Sequence, residues 1–148
     1  MEILPHLWIQ NYNQLDKKLV YIKKIKYIIH LSKYEPYIKK DNLEELKIPI
    51  DYSDEQSYEE QNVVMYQNLF DVTEFIHDKI INNENILLLG YHYKQDIETI
   101  LVSYFIRYGK LNIHDSILFL KSKKDDIFEP KCLFYFALNK FYYEFNKI

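Results

Sequence analysis

Apolar residues recur at steps of three and four along much of the chain, which is the spacing of amphipathic helices. The longest such segment runs from Gln61 to Asn82, and the apolar positions predicted for one face are Val63, Tyr66, Leu69, Phe70, Phe75, Ile76 and Ile80. The same spacing predicts a helix within Leu15 to Lys26. Three later helices are predicted at Asp96–Tyr108 with Gly109 as its C-cap, at Asn112–Lys123, and from Pro130 to Phe145.

Short runs rich in apolar and β-branched residues predict the strands. They are Glu2–Ile3, Leu7–Ile9, Tyr27–Leu31, Leu46–Ile50 and Ile86–Leu89. The first two are expected to be short edge strands separated by Pro5, which cannot donate to a ladder. The last is apolar at every position, as in a central parallel strand covered on both faces. Strands that alternate with helices and are followed by a helical C-terminal half predict an α/β domain with a mixed central sheet, formed by residues 1–148 as one unit.

Composition narrows the classes of function. The 148 residues carry a net charge of -3, which does not favour nucleic acid as a partner. No apolar run approaches the roughly 20 residues of a membrane span, so no membrane association is expected. One cysteine excludes an intramolecular disulfide and agrees with a reducing, cytoplasmic compartment. No Cys/His spacing suggests zinc, and neither a metal nor another cofactor is expected.

The segment from Leu89 to Asp96 has the most favourable position for a functional site. It follows the predicted central strand and precedes a predicted helix. Ligands of open α/β sheets usually bind at the carboxyl ends of the strands, beside helix N-termini.

Five stretches in order resemble the dual-specificity phosphatases over nearly the whole chain. They read EILPHLWIQN, KKIKYIIHLS, LKIPID, LFDVTEFIHDKIINNENILLL and DSILFLKSKKDDIFEP. The resemblance implies the fold of cysteine-dependent phosphatases. It also implies that Leu89 to Ile97 corresponds to the loop that binds phosphate in that family.

The chemical positions of that loop are replaced here. The family pattern is His-Cys, five residues, Arg, then Ser or Thr, and it falls in order on Leu89, Gly90, Tyr91, His92, Tyr93, Lys94, Gln95, Asp96 and Ile97. Gly90 therefore occupies the position of the nucleophilic cysteine. Asp96 occupies the position of the arginine that binds two phosphate oxygens in that family. A unit charge pair at 4 Å contributes about 4 kcal/mol at an effective dielectric near 20, so a carboxylate in this position opposes a phosphate dianion.

Two further replacements accompany these. Tyr93 takes the place of the loop's middle glycine, which curls the backbone around an anion. The family's general-acid aspartate falls on Tyr52, with Asp51 one place before it and Asp54 two places after it. An acid presented by Asp51 would have no nucleophile to serve.

The resemblance therefore implies a pseudophosphatase with a degenerate phosphate loop, which acts as a protein-binding, scaffold or structural module. Inactive relatives of the STYX type also carry glycine at the cysteine position, although they keep the arginine. The expected partner is a protein, either a component of a phosphoprotein pathway or a second copy of the chain. The usage of Tyr, Ile, Asn and Lys resembles an AT-rich coding sequence and suggests a large DNA virus related to poxviruses, so the host cytoplasm or the virion is the expected location.

Two alternatives stay open from the sequence. One is a divergent phosphatase that uses His92, with an acid from Asp51 or Asp54. The other is a sensor of phosphate or phosphoinositide that uses Lys94 and the loop amides. His30 is interpreted as an ordinary strand residue, and Cys132 as a packed thiol near a helix start.

The aromatic C-terminal segment is too apolar all round for one buried face. Positions 134, 138, 141 and 145 are expected to face the core. Tyr135, Tyr142 and Tyr143 would then be partly exposed and form a candidate protein interface.

Overall fold

A five-stranded mixed sheet forms the centre of the computed structural model, which describes residues 1–53, 56–91, 94–128 and 131–146. The strands are β1 (Glu2–Leu4), β2 (Leu7–Asn11), β3 (Tyr27–His30), β4 (Glu44–Lys47) and β5 (Ile86–Gly90). The helices are α1 (Lys17–Ile22), α2 (Tyr58–Ile81), α3 (Asp96–Gly109), α4 (Ile113–Lys121) and α5 (Tyr135–Phe145), with a 3-10 turn at Tyr12–Gln14. The sheet order is β1-β2-β5-β3-β4; only β1 is antiparallel to its neighbour. The predicted α/β class with a mixed sheet is confirmed.

Strand β5 separates two apolar cores because successive side chains point to opposite faces of a sheet. Leu87 and Leu89 lie in a small cluster with Val20, Ile25 and Ile28, on the α1 side of the sheet. Ile86 and Leu88 lie in the large core, which the helices α2 to α5 complete. All five residues of β5 are buried, as its uninterrupted apolar sequence predicted.

Helix α2 begins earlier than its apolar pattern predicted, and its predicted inner face is confirmed except at Val63. Ser57 accepts a hydrogen bond from the N–H of Glu60, and this cap starts the helix at Tyr58. The fully buried side chains of its inner face are Met65, Leu69, Thr73 and Ile76. Val63, which the pattern assigned to the core, is 45% exposed, so that assignment was wrong.

Several predicted boundaries also moved. Helix α3 continues through Gly109, and Lys110 instead takes the left-handed C-cap conformation with a φ of 58°. Strand β4 ends at Lys47, before Pro49, which has no N–H for a ladder. Helix α5 begins at Tyr135, and Pro130 lies outside the described residues.

Strand β2 is an interior strand, not the edge strand that its position after Pro5 suggested. It pairs with β1 on one side and with β5 along its whole length on the other. In the described ranges of the chain, none of the helices combines the length and apolarity needed to span a membrane.

Two polar side chains tie the long helix α2 to its neighbours. The side-chain amide of Asn62, which is 6% exposed, donates to the carbonyl of Leu133 at 3.1 Å, and its oxygen accepts from the N–H of Ala137 at 3.1 Å. The guanidinium of Arg107 donates to the carbonyl of Phe70 at 2.7 Å. These bonds fix the start of α5, and the last turn of α3, against α2.

We expect Asn62→Ala to lower the free energy of unfolding by about 1–3 kcal/mol, because it leaves buried backbone groups of the α5 start without partners. Asn68→Ala is the matched control, since the amide of Asn68 bonds only the carbonyl of Val64 in its own helix. Urea denaturation of both variants measures the difference. Equal losses would show that the bridge to α5 contributes nothing specific.

Candidate functional site

The segment between β5 and α3 is the candidate site. Gly90 ends the central parallel strand and Asp96 is the first residue of α3. The strands β2 and β3 flank β5, so the loop lies at the carboxyl edge of the sheet between two parallel neighbours. His92 and Tyr93 lie outside the described residues.

Gln95 anchors the end of this loop. It is buried and has a φ of 60°, a left-handed conformation that turns the chain into α3. Its side-chain amide donates to the carbonyl of Lys131 at 2.7 Å, and its oxygen accepts from the N–H of Leu133 at 2.9 Å. The loop is thereby fastened to the segment that precedes α5.

The carboxylate of Asp96 turns inward and takes the hydrogen-bond donors that surround it. It accepts from the N–H of Tyr91 at 3.1 Å and from the N–H of Ile97 at 2.7 Å. The hydroxyl of Tyr52 donates to its other oxygen at 2.9 Å. Backbone amides at a helix start form a common anion site, and here an internal carboxylate occupies it.

Burial dominates the titration of this group. Asp96 is completely buried, and the loss of solvation raises its pKa well above the usual 3.8, although the hydrogen bonds from Tyr52 and Ile97 act to lower it. Burial and the adjacent Asp96 also raise the pKa of Tyr52, so its hydroxyl keeps its proton and donates. The nearby charge of Glu98 raises the Asp96 pKa further.

Gly90 leaves the space that this carboxylate fills. A β-carbon added to Gly90 would lie 2.4 Å from Oδ1 of Asp96 and 2.8 Å from Cγ1 of Ile97. Both distances are shorter than real contacts allow. The absence of a side chain at Gly90 therefore leaves room for the carboxyl group of Asp96.

Tyrosine rings pack over the mouth of the loop. The Tyr91 ring lies 5.0 Å from that of Tyr12 and 5.8 Å from that of Tyr52, measured between centroids. The hydroxyl of Tyr91 donates to the carboxylate of Glu35. The sequence did not predict that Tyr12 and Glu35 contact Tyr91, because nothing in the local pattern of their distant segments marks them as neighbours of the loop.

Asp51 and Tyr52 lie in the segment between β4 and α2. Asp51 is 7% exposed and accepts hydrogen bonds from the N–H of Ser53 at 2.9 Å and from the hydroxyl of Tyr34 at 3.2 Å. The hydrogen bonds from Ser53 lower the pKa of Asp51, which favours the anion over the protonated form that a general acid needs. Asp54 lies outside the described residues.

His30 has two specific partners in the sheet. Its Nδ1 lies 2.8 Å from the hydroxyl of Tyr12, and its Nε2 lies 2.8 Å from Oε1 of Glu45. The same Glu45 carboxylate accepts from the N–H groups of Ile38 and Lys39. His30 thus joins the 3-10 turn to the edge strand β4 and to the loop before it.

The remaining candidates lie in α5 and in the segment before it. Cys132 is half-buried three residues before α5, and burial raises its pKa to about 11, which disfavours a reactive thiolate. Tyr135 and Tyr143 are exposed, while Tyr142 packs partly against the core. In the ranges described above, no cluster of His, Cys, Asp and Glu side chains is arranged to hold a metal ion.

We expect Gly90→Ala to destabilise the fold by about 1–3 kcal/mol, because the added methyl group overlaps the Asp96 carboxylate. Gly109→Ala is the matched control. Its new β-carbon would meet no atom closer than 3.7 Å, and replacing a helical glycine is expected to be neutral or to gain up to about 1 kcal/mol. Thermal unfolding compares the two, and the interpretation fails if the Gly90 variant is as stable as its control.

Asp96→Asn should gain stability over the wild type as the pH rises. A raised folded-state pKa means that the folded protein holds a proton that the unfolded chain releases above about pH 4, so the Asp96 contribution to stability falls with rising pH. Asparagine has no such proton and can still accept from Tyr91 and Ile97. Urea denaturation of both proteins from about pH 5 to pH 8 measures this divergence. A constant difference between them would contradict it.

No family model matches the chain, and no characterised protein matches it by sequence. Solved structures do resemble it. The structure of human DUSP28 has a TM-score of 0.78 at 13% identity and covers 98% of this chain and 96% of its own. The structure of DUSP15 has a TM-score of 0.78 at 21% identity, covering 97% and 86% of the two chains.

A third similar structure is the human tyrosine phosphatase-like serine/threonine/tyrosine-interacting protein. Its TM-score is 0.75 at 16% identity, and the match covers 95% of this chain and 93% of that one. Sequence identities of 13, 21 and 16% show a shared fold and nothing more. The chain has the fold of the dual-specificity phosphatases.

Proposed function

We propose that this protein is a catalytically inactive phosphatase homologue that acts through protein binding, as a scaffold or structural module. The observation that carries the proposal is the Asp96 carboxylate at the amides of Tyr91 and Ile97. In the resembling enzymes this position of the loop serves the phosphate of the substrate. Here the protein's own carboxyl group satisfies the donors that a phosphate would need.

The chemistry around the loop supports the absence of phosphoryl transfer. Gly90 offers no nucleophile, and a thiol there would overlap Asp96. Tyr52, at the position of the general acid, keeps its proton and donates a hydrogen bond to the buried carboxyl group of Asp96. A hydroxyl with a raised pKa is a poor proton donor to a leaving group near neutral pH.

Electrostatics supports the loss of phosphate binding as well. The carboxyl group of Asp96 lies at the amides of Tyr91 and Ile97, and the carboxylate of Glu35 accepts from the hydroxyl of Tyr91. Lys94 places its ammonium 5.3 Å from the centre of the Tyr52 ring. A dianion would approach the charge of Glu35 against repulsion, and the amides of Tyr91 and Ile97 are already occupied.

A protein-binding role fits the surfaces that remain. Exposed aromatic residues are common at protein interfaces, and Tyr135, Phe136 and Tyr143 are each more than half exposed on α5. The partner is a component of a phosphoprotein pathway or a second copy of the chain. The residue usage supports an origin in a large DNA virus, with action in the host cytoplasm or in the virion.

We expect the purified protein to show no hydrolysis of an aryl phosphate above buffer, measured beside an active phosphatase of the same fold. Gly90→Cys alone is expected to remain inactive, because the Asp96 carboxyl group fills the space at the thiol and occupies the amides of Tyr91 and Ile97. Turnover that saturates with substrate and disappears in His92→Ala would overturn the proposal.

Phosphate titration followed by NMR tests the role of Asp96 directly. Asp96→Ala frees the amides of Tyr91 and Ile97 and is expected to bind inorganic phosphate at least about ten-fold more tightly than the wild type. Asp71→Ala removes an exposed carboxylate elsewhere and is the control for net charge. Phosphate binding by the wild type as tight as that of Asp96→Ala would show that the carboxylate does not block the loop.

A further inference from the structure

Strand β4 ends the sheet with its outer edge unpaired by any strand of the described chain. The N–H of Glu44 donates to the carbonyl of Lys26 at 3.0 Å, and the N–H of Ile48 donates to the carbonyl of His30 at 2.9 Å. Because donors alternate sides along a strand, Leu46 also pairs inward with β3. Glu45 and Lys47 therefore direct their backbone N–H and C=O groups outward.

An apolar groove runs beside this edge. Its walls come from β4 and α2, it has a volume of about 230 Å³, and its apolar lining includes Leu46, Ile48, Val72 and Phe75. The side chain of Leu46 is 39% exposed at the outer margin of the groove. The edge thus offers both main-chain hydrogen bonds and an uncovered apolar side chain, the two elements of strand addition.

We propose that this edge pairs with the β4 edge of a second copy of the chain, in an antiparallel, two-fold symmetric dimer. The two-fold axis passes between Leu46 and its counterpart, so the two five-stranded sheets join into one. This dimer is a specific form of the protein-binding role proposed above, and it does not depend on the loss of catalysis.

Charge complementarity selects this register. An antiparallel pair centred on Leu46 places Glu45 opposite Lys47 of the other copy, twice by symmetry, and both are outward-facing residues that can exchange hydrogen bonds. A register centred on Glu45 would oppose two glutamates. One centred on Lys47 would oppose two lysines and would place Pro49, which has no N–H, opposite Glu45.

The charge state of Glu45 supports the same arrangement. Burial opposes its charge, but hydrogen bonds from the Ile38 amide and from His30 outweigh this, and the pKa of Glu45 is lowered. Its side chain is 7% exposed, and its carboxylate, which accepts from Ile38 and Lys39 beside His30, stays ionised on the α1 side of the sheet. Its charge therefore attracts Lys47 of the other copy without an exposed ion pair. The Lys47 ammonium lies on the same side, 4.3 Å from the centre of the Tyr37 ring.

The opposite face of the joint would be apolar. Leu46 of each copy lies on the α2 side, and residues in a non-hydrogen-bonded antiparallel pair have close side chains. The two leucines would cover each other and close the two grooves between the flanking α2 helices. A short edge that carries charges normally resists pairing with other strands, and here the same charges admit one self-complementary register.

Sedimentation of the full chain over a wide concentration range tests the dimer. Lys47→Glu places glutamates opposite each other at both pairs and is expected to raise the dissociation constant at least about ten-fold. Lys17→Glu makes the same charge change on α1, away from the edge, and should leave dimerisation unchanged. Lys47→Pro removes an outward donor, without removing a bond to β3, and is expected to give monomer.

A cross-link locates the interface independently. In a Cys132→Ser background, Leu46→Cys should form a covalent dimer on oxidation, whereas Leu118→Cys, at an exposed position on α4, should not. Circular dichroism establishes that each variant is folded. A monomer at every concentration, or a dimer that is insensitive to Lys47→Glu and does not cross-link through position 46, would overturn the proposal. Either result would leave the phosphate and hydrolysis measurements unaffected.

Discussion

The buried carboxylate of Asp96 is the constraint on which the arrangement of the loop depends. A carboxyl group without water must have hydrogen-bond donors, and the structure provides them from Tyr91, Ile97 and Tyr52. These donors come from the loop, the start of α3 and the segment before α2. Satisfying one side chain therefore fixes the relative positions of three segments at the carboxyl edge of the sheet.

The sheet determines where that constraint acts. Burial of β5 on both faces holds Gly90 rigidly at the strand end, and Gln95 fastens the other end of the loop to the segment before α5. Little space is therefore left between Gly90 and Asp96 for a larger group. Packing and hydrogen bonding together make the site a structural element and not an open anion-binding loop.

The sequence predicted the placement of this site, because an uninterrupted apolar run before a helix marks a central parallel strand. It also identified the changed residues Gly90, Asp96 and Tyr52, but not that they contact one another. That contact depends on a side-chain direction and on a partner 44 residues away, and local periodicity encodes neither. The burial of Val63 in α2 and the C-cap at Gly109 were predicted wrongly for a related reason. Tertiary packing exposes Val63, and the backbone takes the left-handed conformation at Lys110.

The mutual fit of Gly90, Asp96 and Tyr52 also bears on how such a protein evolves. Asp96 suits both of the others, so a change in any one of the three alone costs stability. A side chain at position 90 would overlap the Asp96 carboxyl group, and loss of the Tyr52 hydroxyl would remove one of its donors. Such epistasis acts as a ratchet, because each residue can change without cost only together with its partner.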